Sequence, residues 1–187
     1  MRLPREPFFL CASMFLPCSK VLGMNKRLFL SACITPLLVA CSSLSRKTSS
    51  SSATSQSYPN NPAKRQDIVM QAIAMLDRGY TYGGKKLHTG FDCSGLVTFV
   101  YKESAGIALK GSAAQMAEAT RSIDASQAHA GDLVFFNTLG PSFSHVGIYI
   151  GDGKFVHAAN ERTGVKTERM SNGYWSKRFE GYRTVFA

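Results

Sequence analysis

The chain is short of the features that usually assign a protein of 187 residues at sight. It contains no Cys-x-x-Cys pair and no His-Glu-x-x-His run, so the common spacings of a zinc site are missing. It has no Gly-x-Ser-x-Gly, the usual mark of a serine nucleophile on a sharp strand-to-helix turn. No internal repeat is visible. Its most conspicuous apolar run, Leu28 to Ala40, falls short of a membrane span. Cysteine is the most informative scarcity: five occur, and only Cys93 lies downstream of Cys41.

The net charge of +10 looks like a nucleic-acid signal until it is divided along the chain. Residues 1–40 hold Arg2, Arg5, Lys20, Lys26 and Arg27 against Glu6, leaving 17 basic and 11 acidic residues in the remainder. Those charges are scattered, with no stripe and no nucleic-acid motif, so no nucleic-acid partner is expected.

The amino end reads as an address. Met24-Asn25-Lys26-Arg27 followed by Leu28 to Ala40 has the form of a secretory signal, and Met24 is the expected translation start. Residues 1–23 then precede a complete signal, either as an over-extended start or as part of one long bipartite signal. The run ends in Leu38-Val39-Ala40-Cys41, which resembles the bacterial lipobox, and this implies cleavage before Cys41 and lipid on its thiol. Leu30-Ser31-Ala32-Cys33 fits the same pattern after a much shorter apolar stretch. Residues 41–63 are then the lipidated cysteine and a flexible tether. Nine serines fall in its last 22 residues, which as a coil would span about 25 Å. Ser42 stands where, by resemblance to lipoproteins, aspartate would retain the protein at the inner membrane. The expectation is an anchor in the outer membrane, facing the periplasm, if the organism is Gram-negative.

Removal of Cys11, Cys18 and Cys33 with the signal, and lipid on Cys41, would leave Cys93 as the one free thiol in an oxidising compartment. It sits in Gly90-Phe91-Asp92-Cys93-Ser94-Gly95-Leu96-Val97, a small polar turn opening an apolar helix. The helix dipole and the free amides of a first turn favour thiolate. A buried, inert cysteine is the alternative.

Residues 64–187 are expected to form one folded domain. Asn61-Pro62 reads as a cap and first turn, with Ile68, Val69, Ala72, Ile73 and Leu76 at helical spacing and Gly79 as a stop. A helix from the cysteine turn to about Tyr101 and a weaker one over Ser112 to Thr120 follow. Short strands are expected over Asp132 to Phe136, Ser144 to Ile150, Lys154 to Ala158, Val165 to Glu168 and Tyr182 to Phe186, with Tyr174-Trp175 marking a packed turn or helix. Helices first and meandering strands afterwards make an α+β domain with an antiparallel sheet.

Of the four histidines, His88 and His129 lie in polar loops, whereas His145 and His157 lie on the two strands of one hairpin. Strand alternation makes the two imidazoles neighbours if their faces coincide. Taken singly, each is equally a satisfied core histidine.

Asp92-Cys93-Ser94-Gly95, Gly131-Asp132-Leu133-Val134-Phe135-Phe136, His145-Val146-Gly147-Ile148-Tyr149-Ile150-Gly151 and Phe155-Val156-His157-Ala158 resemble, in order, the motifs of the NlpC family of bacterial cell-wall cysteine peptidases. The resemblance implies a papain-like fold with the cysteine at a helix start and the histidines on the sheet. It implies Cys93 as nucleophile, His145 as general base, His157 as the residue orienting His145, and Tyr80 in the vicinity of the anion hole. It also implies hydrolysis of amide bonds in peptidoglycan stem peptides, at the γ-D-glutamyl–diamino acid bond, by a monomer without cofactor or metal. Leu109-Lys110-Gly111-Ser112 departs from the family's Pro-Arg before Ser or Thr, which bears on substrate contacts and not on the nucleophile. An N-acetylmuramoyl-L-alanine amidase of related fold and a non-catalytic wall-binding lipoprotein are the rival readings.

Overall fold

The computed structural model describes residues 57–187. The signal over 1–40, the start at Met24, the lipid on Cys41 and most of the tether lie outside the described residues. Among the described residues no helix is long and apolar enough to cross a membrane.

Asn61 caps the first helix, α1 (Pro62–Ala74), its side chain accepting from the Ala63 and Lys64 amides at 3.0 and 3.4 Å. Proline in the first turn costs nothing there, because that amide has no partner inside the helix. Two short strands, β1 (Lys85–Lys86) and β2 (Gly90–Phe91), pair just before α2 (Cys93–Ala105). Helix α2 runs past Tyr101 to a left-handed Gly106 at φ 68°. Lys102 to Ala105 contain no helix breaker, so the glycine, free of a Cβ penalty, sets the end. Ser112 caps α3 (Ala113–Ala119) in a reciprocal box with Gln115.

The sheet has six antiparallel strands in the order β3-β8-β4-β5-β6-β7, from β3 (Arg121–Ile123), β4 (Leu133–Phe136), β5 (His145–Gly151), β6 (Lys154–Asn160), β7 (Gly164–Arg169) and β8 (Phe179–Thr184). A short helix α4 (Gly173–Ser176) precedes β8. The α+β, antiparallel class read from the sequence is the one observed, with differences in detail that include the unexpected β1–β2 pair. The last strand covers Phe179–Thr184 and not Tyr182 to Phe186: the register shifts at Phe135/Phe136, beside Gly181 at φ 144°, and Phe179 stands opposite Phe136. Val185 and Phe186 instead enter the core, where Phe186 bridges Tyr58. The edge strand β3 carries no apolar alternation and two exposed residues, so it gave no signal.

One face of the sheet packs on the helices. Ile68 and Ala72 of α1 and Leu96, Val97, Val100 and Tyr101 of α2 meet Leu133, Phe135, Val146, Ile148, Val156 and Ala158. Each fully buried large aliphatic contributes about 1.5–3 kcal/mol. The other face carries a smaller cluster of Val134, Phe136, Phe155 and Trp175.

A buried ion pair fastens α1 to the sheet. Arg65 Nη1 donates to Asp132 Oδ1 at 2.7 Å, with side-chain exposures of 12% and 0%. Asp132 Oδ2 also accepts from the His129 amide, and the guanidinium lies 4.2 Å from the Phe186 ring centroid. Removing one partner leaves the other charge buried alone, which costs about 3–5 kcal/mol. Arg65→Met is therefore expected to lose about that much in urea unfolding, and Arg65→Met with Asp132→Asn to lose distinctly less. Equal losses in the single and double variants would show that the lost charge balance is not the cause.

Candidate active site

Cys93 is the first residue of α2, and Asp92 caps it. Asp92 Oδ1 accepts from the Gly95 amide at 2.6 Å and from Ser94 Oγ at 3.0 Å, and Oδ2 accepts from the Gly83 amide at 2.9 Å. The cap thus braces the turn and ties the helix start to the tyrosine–glycine loop. Backbones pack closely there, and a Cβ at Gly95 would collide with the Gly84 carbonyl oxygen. Glycine in Asp-Cys-Ser-Gly is required by that approach.

Burial pushes the Cys93 thiol up. Hydrogen bonding from the Val146, Ser94 and Cys93 backbone pulls it down, and the Asp92 carboxylate pushes it up again. Val146 follows His145 on β5, so the sulfur faces the start of the histidine strand. The β5–β6 ladder begins only at Ile148↔Val156, leaving Val146 beyond its end. Tyr80 forms a parallel bridge with Phe91, close enough to the helix start for Cys93 and Asp92 to add to the effect of burial in raising its phenol.

His145 and His157 meet directly, with Nε2 of the first 2.8 Å from Nδ1 of the second. They are 8% and 0% exposed. Burial lowers His145 to about 4, with Asp92 opposing, and lowers His157 further still, with the charges of His145 and Lys166 adding to burial. With its Nε2 engaged, His145 has Nδ1 left for a thiol. No hydrogen bond joins Cys93 to either imidazole in this resting arrangement.

The tautomers follow from this geometry. If His145 Nε2–H donates to His157 Nδ1, His145 Nδ1 keeps a free lone pair and can accept a proton from sulfur. His157 then carries its own proton on Nε2, a buried atom with no hydrogen-bond partner. The arrangement can do acyl transfer: a thiol, a base to take its proton, a second imidazole fixing the base, and helix-start amides for an oxyanion. The neutral thiol and neutral imidazole favoured by burial differ from a thiolate held at rest. The proton would move as attack begins.

Trp175 is the single tryptophan of the chain, and it does more than pack. Its ring stacks on His145 at 5.5 Å and 28°, and stands nearly perpendicular to His157 at 4.8 Å and 82°. It shields the 2.8 Å bond between them. Adjacent Tyr174-Trp175 was the only sequence signal, and nothing in it pointed at histidines 18 or more residues away. His88 and His129 are exposed. Among the described residues no group of three His, Cys, Asp or Glu is gathered that could hold a metal ion.

Residues 77–184 match the model of the NlpC/P60 family. The chain is 35% identical over 144 residues to Murein DD-endopeptidase MepS/Murein LD-carboxypeptidase of Escherichia coli K12, covering 75% of each chain. It is 32% identical over 143 residues to Murein DD-endopeptidase MepH of the same organism, covering 74% of this chain and 53% of that one. A crystal structure of an NLP/P60-family protein similar to lipoprotein from Staphylococcus aureus superposes with a TM-score of 0.61 at 34% identity, over 70% of this chain and 44% of that one. The chain therefore belongs to the NlpC/P60 family, and its fold is that family's papain-like α+β arrangement. It spans about half the length of MepH.

Two measurements test the electrostatics of the site. A histidine whose pKa is lowered by folding lends stability that is complete above about 6.5 and drains away as pH falls, because the unfolded chain binds the proton first. The thermal midpoint is expected to fall between about pH 6.5 and 4, and less steeply in His157→Gln. Identical slopes would mean that His157 is not held neutral. Trp175→Ala admits water, so the NMR titration of His145 is expected to move up from about 4 toward its ordinary value. An unmoved inflection would assign the desolvation to other groups.

Proposed function

We propose that this protein is a cysteine peptidase acting on peptidoglycan stem peptides, with Cys93 as nucleophile, His145 as base, His157 as its orienting partner and Tyr80 beside the anion hole. The observation that carries this reading is the 2.8 Å bond between two buried imidazoles. It leaves one His145 nitrogen for the thiol at the start of α2. His145 takes the thiol proton as sulfur adds to the amide carbonyl, and the oxyanion meets the amides at the helix start. The C–N bond then breaks, and His145 returns the proton to the departing amine. Water, deprotonated by His145, next attacks the thioester and releases a carboxylate and the free thiol.

The bond we favour is that between γ-D-glutamate and the diamino acid. A second reading, the D-alanyl–diamino acid cross-link, is favoured by the names of MepS and MepH, both DD-endopeptidases. We further place the protein at the cell envelope as a monomer anchored through lipid on Cys41, in keeping with the signal and lipobox of its sequence.

Digestion of purified sacculi with mass analysis of the products tests the reaction. Cys93→Ala and His145→Ala are expected to lose turnover by a factor of about 10³ or more, and His157→Ala by about 10–10². Release of intact stem peptides from the sugar would point to the amidase, and loss of cross-links alone to the DD bond. Undiminished digestion by Cys93→Ala would end the thiol mechanism and leave a wall-binding role.

A further inference from the structure

Two grooves flank the site and share Ala159 and Asn160. One, of about 710 Å³, is lined by Tyr80 and by Glu161 and Arg162 of the loop after β6. The other, of about 460 Å³, is lined by His145, His157 and Trp175. The proposed chemistry makes them unequal. The acyl part of the substrate must place its carbonyl oxygen at the helix-start amides and Tyr80. The amine must leave beside the imidazole that protonates it. The second groove therefore takes the leaving-group residue.

That groove carries one fixed charge pair. Lys166 and Glu168 are two apart on β7, so their side chains share a face. Lys166 Nζ lies 2.6 Å from Glu168 Oε1, and both line the groove wall, with side-chain exposures of 36% and 20%. Lys166 stands directly opposite His157 in the β6–β7 register. Its charge is felt at that imidazole. The pair is half-sheltered, so it is shielded less by salt than a free surface pair. It also stays open to a ligand from the groove.

We infer that Lys166 and Glu168 form a receptor for a zwitterionic amino-acid end, the lysine facing the ligand's carboxylate and the glutamate its ammonium. This rests on the peptidase reading above. In a stem peptide cut after γ-D-glutamate, the leaving residue is the diamino acid. Where its side chain ends in a carbon bearing both ammonium and carboxylate, that end is a zwitterion. The pair meets it head to tail without being pulled apart, and each charge gains a second charge-assisted partner. A lysine in the same place offers the ammonium alone and leaves Lys166 unanswered. The D-alanyl cross-link offers a carboxylate with no free ammonium, so the pair also favours the γ-D-glutamyl bond over it.

Binding decides this independently of turnover. Calorimetry on full-length Cys93→Ala would compare L-Ala-γ-D-Glu-meso-diaminopimelate with L-Ala-γ-D-Glu-L-Lys. The first is expected to bind about tenfold tighter. Lys166→Gln should erase the difference by weakening the diaminopimelate peptide alone, and Glu168→Gln should weaken both. Equal affinities for the two peptides in Cys93→Ala would overturn the receptor, whatever the wild-type enzyme cleaves. So would a Lys166→Gln variant that keeps the preference, or that weakens both peptides equally while its thermal midpoint holds. A tenfold preference in binding with no cleavage of either peptide by wild type would uphold the receptor and refute the γ-D-glutamyl bond as the one cleaved.

Discussion

The position of Cys93 depends on the three hydrogen bonds that Asp92 accepts. Two hold the first turn of α2 together, and the third reaches Gly83 across the loop that carries Tyr80. They draw the backbones so close that only glycine fits at position 95 against the Gly84 carbonyl. The rigidity comes with an electrostatic cost. The same carboxylate pushes the thiol and the Tyr80 phenol up, against the thiolate, while it favours a proton on His145. For a proton moving from sulfur to imidazole, the two effects of Asp92 oppose each other. What remains is desolvation, which resists both charges, and the backbone hydrogen bonding at sulfur, which helps one of them. The resting site is therefore neutral. In the proposed reaction its charged form arises only as sulfur attacks.

The histidines meet for a reason of sheet geometry. Residues 145 and 157 occupy the same face of two adjacent strands, and the β5–β6 ladder stops at Ile148↔Val156, short of both rings. That face bears the smaller apolar cluster, where Phe136, Phe155 and Trp175 exclude water from the imidazoles. Desolvation sets the low pKa values, and the lack of a partner for His157 Nε2 follows from the same aromatic wall. A polar replacement in that wall would act on the base through water, without touching the nucleophile.

Much of this was legible in the residues. The cap at Asn61, the hairpin glycines at 151 and 153 and the apolar runs of the central strands are local signals, and local chemistry decides them. Cys93, His145 and His157 could be picked out because a lone thiol at a helix start and two histidines on one hairpin occur together, in the order of the family's motifs. Trp175 could not, since an aromatic in a turn before a strand is explained by burial until its neighbours are known. The position of β8 was misjudged for a related reason. Val185 and Phe186 are apolar enough to read as strand, but they fill the core, and the pairing passes to Phe179 through a register shift no alternation reveals. Whether thiol and imidazole form a hydrogen bond likewise depends on tertiary geometry. Motif order says that the two approach, not how closely they rest.

The proposed receptor places a charge pair beside the two imidazoles, with Lys166 directly opposite His157. A lone lysine opposite His157 would depress that imidazole by direct repulsion, and a lone glutamate would raise it and invite a proton onto the orienting residue. Only the second works against the neutral tautomer that meets His145. As a pair at 2.6 Å the two present a dipole, whose field falls off faster with distance than that of either charge. A ligand arriving in the groove finds both charges at contact range, where the dipole acts at full strength. At the imidazole the cancellation is incomplete: Lys166 still lowers His157, in the direction that keeps that ring neutral. A zwitterionic ligand preserves that cancellation when it binds, whereas a singly charged one shifts the balance felt by His157. On this argument, the ligand suited to the pair is also the one that leaves the base of the proposed reaction in its working state.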